Sequence, residues 1–233
     1  MNAKRTLATT LGLTAVAGTS LALRPWFMRW GAEGWDSRRT WPGDELSPRP
    51  LSVATRAITI HAPASRIWPW ILQIGQDRGG FYSYTWLENL VGARMKNADR
   101  ILPEAQERKV GDTVWMAPKE RYGEKASMRV AILEPERAMV LVPPGDFEKL
   151  ASTGEAPGGS WALFLEPVDA NTTRLVVRSR GPQKPGIGEK LFRTFAFDPA
   201  HFIMERGMML GIKRRAERAG LTGLTPPASR TPP

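Results

Sequence analysis

The chain closes with a helical pattern that must find something to lie on. Asp198 and Pro199 read as an N-cap with proline at the first helical position, and Gly220 offers a stop about twenty residues later. The apolar residues between them are Phe202, Met204, Met208, Met209, Leu210 and Ile212, while Lys213, Arg214, Arg215 and Arg218 crowd the last turns and complement the helix dipole. Before this helix the chain offers mainly short strands, so the helix must pack across a sheet. Methionine fills irregular gaps, so its apolar side suits either ordinary core packing or the wall of a cavity for an apolar ligand.

The strands follow from alternation. Thr55 to His61 puts Ile58 and Ile60 on one face, and Pro63 then opens a helix in which Ile67, Trp70 or Ile71, and Ile74 recur, with Pro69 expected to kink it. Thr85 with Glu88 three residues on gives a capping-box signal for a second short helix ending near Gly92. Asp112 to Ala117, carrying Trp115, reads as a strand. Ser127 to Leu133 follows with Met128, Val130 and Ile132 on one face, then Ala138 to Val142. Pro143 to Gly159, rich in Gly, Pro and acids, reads as a long loop. Trp161, Leu163 and Leu165 alternate before the turn at Asp169 to Thr172, and Leu175 and Val177 continue in the partner strand. The expected class is α+β: a curved antiparallel sheet of about six or seven strands, two short helices, and a long C-terminal helix across it.

The 233 residues, 42% of them hydrophobic, suffice for one core with appendages. The expected division is an N-terminal anchor or signal segment over 1–30, a linker over 31–51, the domain over 52–220 and a disordered tail over 221–233. Lys4 and Arg5 precede an uncharged run from Leu7 to Leu23, after which come Arg24, Trp26, Phe27, Arg29 and Trp30. Aromatic rings and arginines of that kind suit a membrane interface, and the favoured reading is a single-pass anchor with the domain on the cytoplasmic side. A cleaved signal peptide ending near Ala15 and Ala17, or a helix lying on a surface, are the alternatives. Deleting residues 1–30 is then expected to solubilise the protein without unfolding 52–219. The net charge of +10 attracts anionic partners, but the basic residues are scattered and no nucleic-acid motif appears.

Several phrases carry a resemblance. They are Ala62-Pro63 leading into Ile67-Trp68-Pro69-Trp70, the run Gly75 to Tyr84, Glu88-Asn89, Val110-Gly111-Asp112, and Met204-Glu205-Arg206-Gly207 with Gly211-Ile212-Lys213-Arg214. In this order, over residues 52–219, the chain resembles the SRPBCC superfamily of START-like lipid-transfer domains and polyketide cyclases, within a bacterial membrane-attached subgroup. The resemblance implies a helix-grip fold with a hydrophobic cavity between sheet and closing helix, and a hydrophobic small molecule or lipid as partner.

Trp70, Gln76, Arg78, Tyr82, Tyr84, Trp115, His201, Glu205 and Met208 are the candidate ligand-binding residues. Gln76, Arg78, Tyr82 and Tyr84 combine hydrogen-bonding groups with glycines at one possible mouth, although Arg78 also has a structural role open to it as the partner of Glu88. His201 and Glu205 stand four apart on one helix face, as an acid and base or an intrahelical pair would. No third ligand accompanies them, and the chain has no cysteine and only two histidines, so neither a metal nor a cofactor is expected. His61 has the parity opposite Ile58 and Ile60 and is expected to face solvent. The serines sit in no nucleophile elbow and the glycines in no phosphate loop. Binding without catalysis, a cyclase or dehydratase using the same residues, and a plugged interaction domain with less than about 300 Å³ of free space are the three functional expectations.

Overall fold

The structure is a computed structural model and describes residues 18–19, 21–90 and 92–222. Six strands form one antiparallel sheet in the order β1-β6-β5-β4-β3-β2: β1 (Val53–Ile60), β2 (Thr113–Trp115), β3 (Ser127–Glu134), β4 (Ala138–Val142), β5 (Ser160–Asp169) and β6 (Thr172–Arg180). The helices are α1 (Gly34–Arg38), α2 (Ala64–Leu72), α3 (Thr85–Leu90), α4 (Lys119–Tyr122), α5 (Pro144–Thr153), α6 (Ile187–Phe192) and α7 (Asp198–Thr222). A long C-terminal helix over one face of an antiparallel sheet is the expected α+β helix-grip arrangement.

Alternation decides what meets the helices. Met139 and Leu141, Trp161, Leu163 and Leu165, and Leu175 and Val177 point inward and pack with Ile67, Trp70 and Ile71 of α2 and Met208, Met209, Ile212 and Ala216 of α7. Ala57, Ala138, Val140, Ala162, Phe164 and Val176 point the other way. In β3 the register shifts between Val130 and Ile132, and the extra residue reverses the parity. Met128, Val130 and Leu133 therefore join the inner core while Ile132 packs outside, so Met128, Val130 and Ile132 do not share a face.

The outer face is covered by residues 26–50. Trp41, only 2% exposed, stacks on Phe164 with ring centroids 4.5 Å apart. Three arginines of β6 share the outward parity: Arg174 pairs with Asp36 at 2.6 Å, and Arg178 and Arg180 both reach Asp44 at 2.9 Å. The segment expected to be a linker is thus held to the sheet. Upstream of it, Thr55 and Ala57 of edge strand β1 donate backbone hydrogen bonds to the carbonyls of Met28 and Trp30, and Phe27 and Met28 are buried. Gly31 has φ +67°, and a Cβ there would lie 2.1 Å from the carbonyl oxygen of Ala57, so the edge closes only over glycine. Residues 27–30, placed by the sequence reading in a segment dispensable to the domain, thus contribute buried side chains and two backbone acceptors to its edge.

Three boundaries also differ from the sequence reading. Pro143 to Gly159 is not a plain loop: α5 starts with Pro144 in its first turn and ends at Gly154, whose φ of +67° is the left-handed cap that glycine permits. Asp198 is not an N-cap, because α6 runs through a π-helical turn over Arg193–Phe197 straight into α7. Pro199 lacks an N–H for the carbonyl four residues back, and the wider turn accommodates that gap. Gly220 does not stop the helix, which continues to Thr222. The uncharged run from Leu7 lies mostly outside the described residues, as does the tail beyond Thr222. No helix among the described residues is long and apolar enough to cross a membrane.

Candidate functional site

Met209, Ile212 and Ala216 fill the inner side of α7 along its middle, whereas nearer its start the helix stands off the sheet. Between that part of the helix and the sheet lies a cavity of about 530 Å³. Ala200, His201, Met204, Glu205 and Met208 recur at helical spacing and form one wall, with Trp161 of β5 facing them. Phe81 and Ser83, then Leu87 and Glu88 of α3, then Ala93 and Met95 form a second side. Met116, Ala117 and Tyr122 close a third. The described lining is mostly apolar, and its volume is too large for a plugged interaction domain.

One edge of the cavity rests on a buried ionic network. Arg56 lies in β1 on the same parity as Ile58 and Ile60, so it projects inward, where its side chain and that of Glu205 are each 1% exposed. Its Nη1 donates to Glu205 Oε2 and also lies 3.4 Å from His201 Nδ1, while its Nε donates to the Phe27 carbonyl at 2.7 Å. The other carboxylate oxygen, Glu205 Oε1, accepts from Trp161 Nε1 at 2.8 Å and from Ser179 Oγ at 3.4 Å. Burial pushes the Glu205 carboxyl up, but His201, Arg56 and the Trp161 donor outweigh it, and the group stays below the usual carboxylate range. Burial pushes the His201 imidazole down, Arg56 adds to that, and Glu205 opposes it; the net shift is downward. The imidazole stacks on Phe197 at 5.2 Å, and the 26% of it left exposed lines the cavity.

Glu88 faces the same space from α3. Burial alone raises its carboxyl to about 7, and its Oε2 has no hydrogen-bond partner among the described residues. The partnership with Arg78 considered from sequence does not form. Arg78 Nη1 instead donates to the carbonyls of Ala105 and Glu107 at 3.2 and 3.1 Å and pins that loop.

Of the nine residues picked from sequence, His201, Glu205 and Met208 line the cavity. Trp70 and Tyr82 belong to the core, meeting edge to face at 5.7 Å, with the Tyr82 hydroxyl donating to the Trp70 carbonyl at 3.0 Å. Burial raises the Tyr82 phenol and keeps it neutral. Tyr84 lines a separate shallow groove of about 280 Å³ with Trp26, Trp30, Phe202, Ile203 and Arg206. Gln76 is tied through its backbone N–H to the Trp115 carbonyl at 2.8 Å, and Trp115 carries Lys119 over its ring at 5.5 Å; neither residue lines the cavity. His61 is exposed, and its backbone N–H donates to Glu217. No group of three potential metal ligands gathers among the described residues.

Sequence reasoning passed over Arg56, Trp161, Ser179 and Glu88. The first was detectable as a charge on the apolar parity of a strand, and Ser179 shares the inward parity of Leu175 and Val177. Glu88 was read only as a helix-capping residue and a partner for Arg78, because the apolar surroundings of its carboxyl are assembled from distant segments.

No family model matches the chain, and no curated protein is a significant match. Solved structures similar in fold include the self-sacrificing resistance protein CalC from Micromonospora echinospora, at 9% identity and TM-score 0.42, with 72% of this chain and 95% of that chain covered. A polyketide cyclase-like protein from Corynebacterium glutamicum gives 17% identity and TM-score 0.34, covering 79% and 99%. A norcoclaurine synthase point mutant from Thalictrum gives 14% and 0.37, covering 72% and 96%.

Proposed function

We propose that this protein binds a hydrophobic small molecule or lipid in the cavity between α7 and the sheet, and does so at a membrane surface. The observation that carries the reading is the 530 Å³ space with apolar walls, which falls within the roughly 300–1,000 Å³ of small-molecule sites. Four of its wall residues, Met95, Met116, Met204 and Met208, are methionines from three different segments, a lining that adapts to ligand shape.

The membrane part of the reading rests on what surrounds the cavity. On α3, Trp86 and Leu90 are 66% and 74% exposed beside the lining residues Leu87 and Glu88. The other flank carries Ile187, Leu191, Phe192, Phe195 and Phe197 on the exposed helical turns leading into α7, with Lys184 and Lys190 nearby. Exposed apolar side chains of this number, interleaved with lysines on a chain of net charge +10, suit an anionic lipid interface.

Organic extraction of the purified full-length protein followed by mass spectrometry tests the first part. A co-purifying apolar compound in stoichiometric amount supports it; a protein that carries none and takes up no apolar dye refutes it. Sedimentation with vesicles tests the second, with binding expected to phosphatidylglycerol-containing vesicles and lost in a Leu191→Glu/Phe192→Glu variant.

A second reading is a cyclase- or dehydratase-type enzyme in the same cavity. It is favoured by Glu88, a lining carboxyl that burial pushes up to about 7, into the range that suits a general acid or base near neutrality. In that reading Glu88 replaces Glu205 as acid or base, because Glu205 is held in an ion pair. Turnover of an apolar ketone that disappears in Glu88→Gln would support it; identical turnover in that variant would refute it.

A further inference from the structure

We infer that the cavity selects apolar ligands bearing an acceptor oxygen, a carbonyl or hydroxyl, which the Nε2–H of His201 receives as a hydrogen-bond donor. This rests on the binding reading above and names the ligand class of the same site.

The tautomer follows from Arg56. A guanidinium has only donors, so the His201 Nδ1 that lies 3.4 Å from Arg56 Nη1 presents its lone pair. Nη1 has two hydrogens, and the accounting closes with one directed at Glu205 Oε2 and one at the imidazole. A neutral ring with an accepting Nδ1 carries its proton on Nε2. A second proton, on Nδ1, would oppose the guanidinium directly.

The Nε2–H has no acceptor among the described residues. The carboxylate oxygen opposite it, Glu205 Oε1, stands 4.0 Å away, beyond hydrogen-bond reach, and is already engaged by Trp161 at 2.8 Å. The imidazole is held in place by the Phe197 stack on one side and by Arg56 at Nδ1, so its donor cannot easily turn away from the cavity. Glu205 exerts little pull on a cationic ligand, since its charge is met by Arg56 and both its oxygens accept hydrogen bonds.

A hydrocarbon filling this space would leave the Nε2–H dry and unpaired, whereas a ligand oxygen would complete it. Discrimination of that origin is large because the penalty falls on the site as well as the ligand.

The test compares 2-acetylnaphthalene with 2-isopropenylnaphthalene, which replaces the carbonyl oxygen by a methylene at the same shape. Equilibrium dialysis against the full-length protein, with affinities referred to each probe's transfer from water to hexadecane, is expected to show the ketone favoured about tenfold or more. His201→Phe should abolish the preference and His201→Asn, which keeps a donor, should retain part of it. Equal corrected affinities in the wild type would overturn the inference while leaving apolar binding intact; failure of both probes to bind would overturn the binding reading with it. ¹⁵N NMR of the wild-type imidazole gives an answer that needs no variant to fold: an Nδ1–H tautomer refutes the assignment.

Discussion

Replacing Arg56 by methionine is the most informative perturbation of the site. The substitution keeps the aliphatic volume but strands the Glu205 carboxylate, 1% exposed, with only Trp161 and Ser179 as donors. Breaking a buried pair from one side costs about 3–5 kcal/mol. For a domain of this size, where each kcal/mol moves the midpoint by about 2–4 °C, Tm should fall by roughly 6–20 °C. Glu205→Leu alone strands the guanidinium and should cost a similar amount. The double variant removes both charges and leaves the Trp161 N–H and the Phe27 carbonyl short of partners, at about 1–3 kcal/mol each, so its cost should lie well below the sum of the single ones.

Urea unfolding of the four proteins at neutral pH gives the coupling. The pH dependence has a definite sign. In the wild type the folded-state carboxyl lies below its ordinary value of 4.5, so the unfolded chain takes up protons first and stability falls as pH drops through that region. Without Arg56 only His201 and the Trp161 donor work against burial, so the carboxyl is depressed less and the loss of stability in acid should be smaller than in the wild type. Strictly additive costs, or an Arg56→Met variant that loses as much stability in acid as the wild type, would refute the network as described.

Other outcomes follow from individual contacts. Glu88, raised to about 7, is neutral below that pH and charged above it; binding of an uncharged apolar probe should weaken as pH rises through 7, and Glu88→Gln should flatten that dependence in a dialysis titration. A Cβ on Gly211 would sit 2.1 Å from the Tyr82 carbonyl oxygen and 2.7 Å from its Cβ, so Gly211→Ala should destabilise by about 2 kcal/mol or more despite alanine's better helix propensity, as read by thermal melting. Removing residues 1–20 should leave Tm unchanged, whereas removing 1–30 also takes away buried Phe27 and Met28 and the 2.8 Å Arg24–Asp198 pair, and should lower Tm measurably. If the 1–20 deletion still pellets with membranes, the exposed apolar turns and not the N-terminal run hold it there.

Period-two and period-3.6 patterns carried most of the fold. β4 and the alternation of β5 and β6 stand where the apolar residues put them, because a sheet covered on both faces constrains every position. The reading failed where a local rule had two outcomes. Asp198-Pro199 fits a helix start and equally fits a proline crossed through a π turn, and the tertiary contact of Asp198 with Arg24 lies too far along the chain to be read locally. Pro144 and Gly154 carried start and stop signals that the surrounding glycines and acids obscured. At the site, the hydrogen-bonding residues of Gly75–Tyr84 were a poor guide: the segment meets the cavity through Phe81 and Ser83, while Tyr82 serves the core and Arg78 pins a loop. Arg56 was the better clue, being a charge that strand parity forced indoors and that therefore required a partner from elsewhere in the chain.

The two halves of α7 explain why a cavity survives in so densely packed a domain. At its C-terminal half, Gly211 lets the helix backbone approach Tyr82, while Met209, Ile212 and Ala216 fill the remaining space with no exposure. At its N-terminal half the helix is set by Glu205, whose contacts with Arg56 on β1, Trp161 on β5 and Ser179 on β6 fix its place relative to three strands. A polar strut of defined length holds helix and sheet apart as well as together, because shortening it would crush the network. The ion pair that costs desolvation energy thereby keeps open a space lined by methionines, and it orients His201 within that space through the same guanidinium.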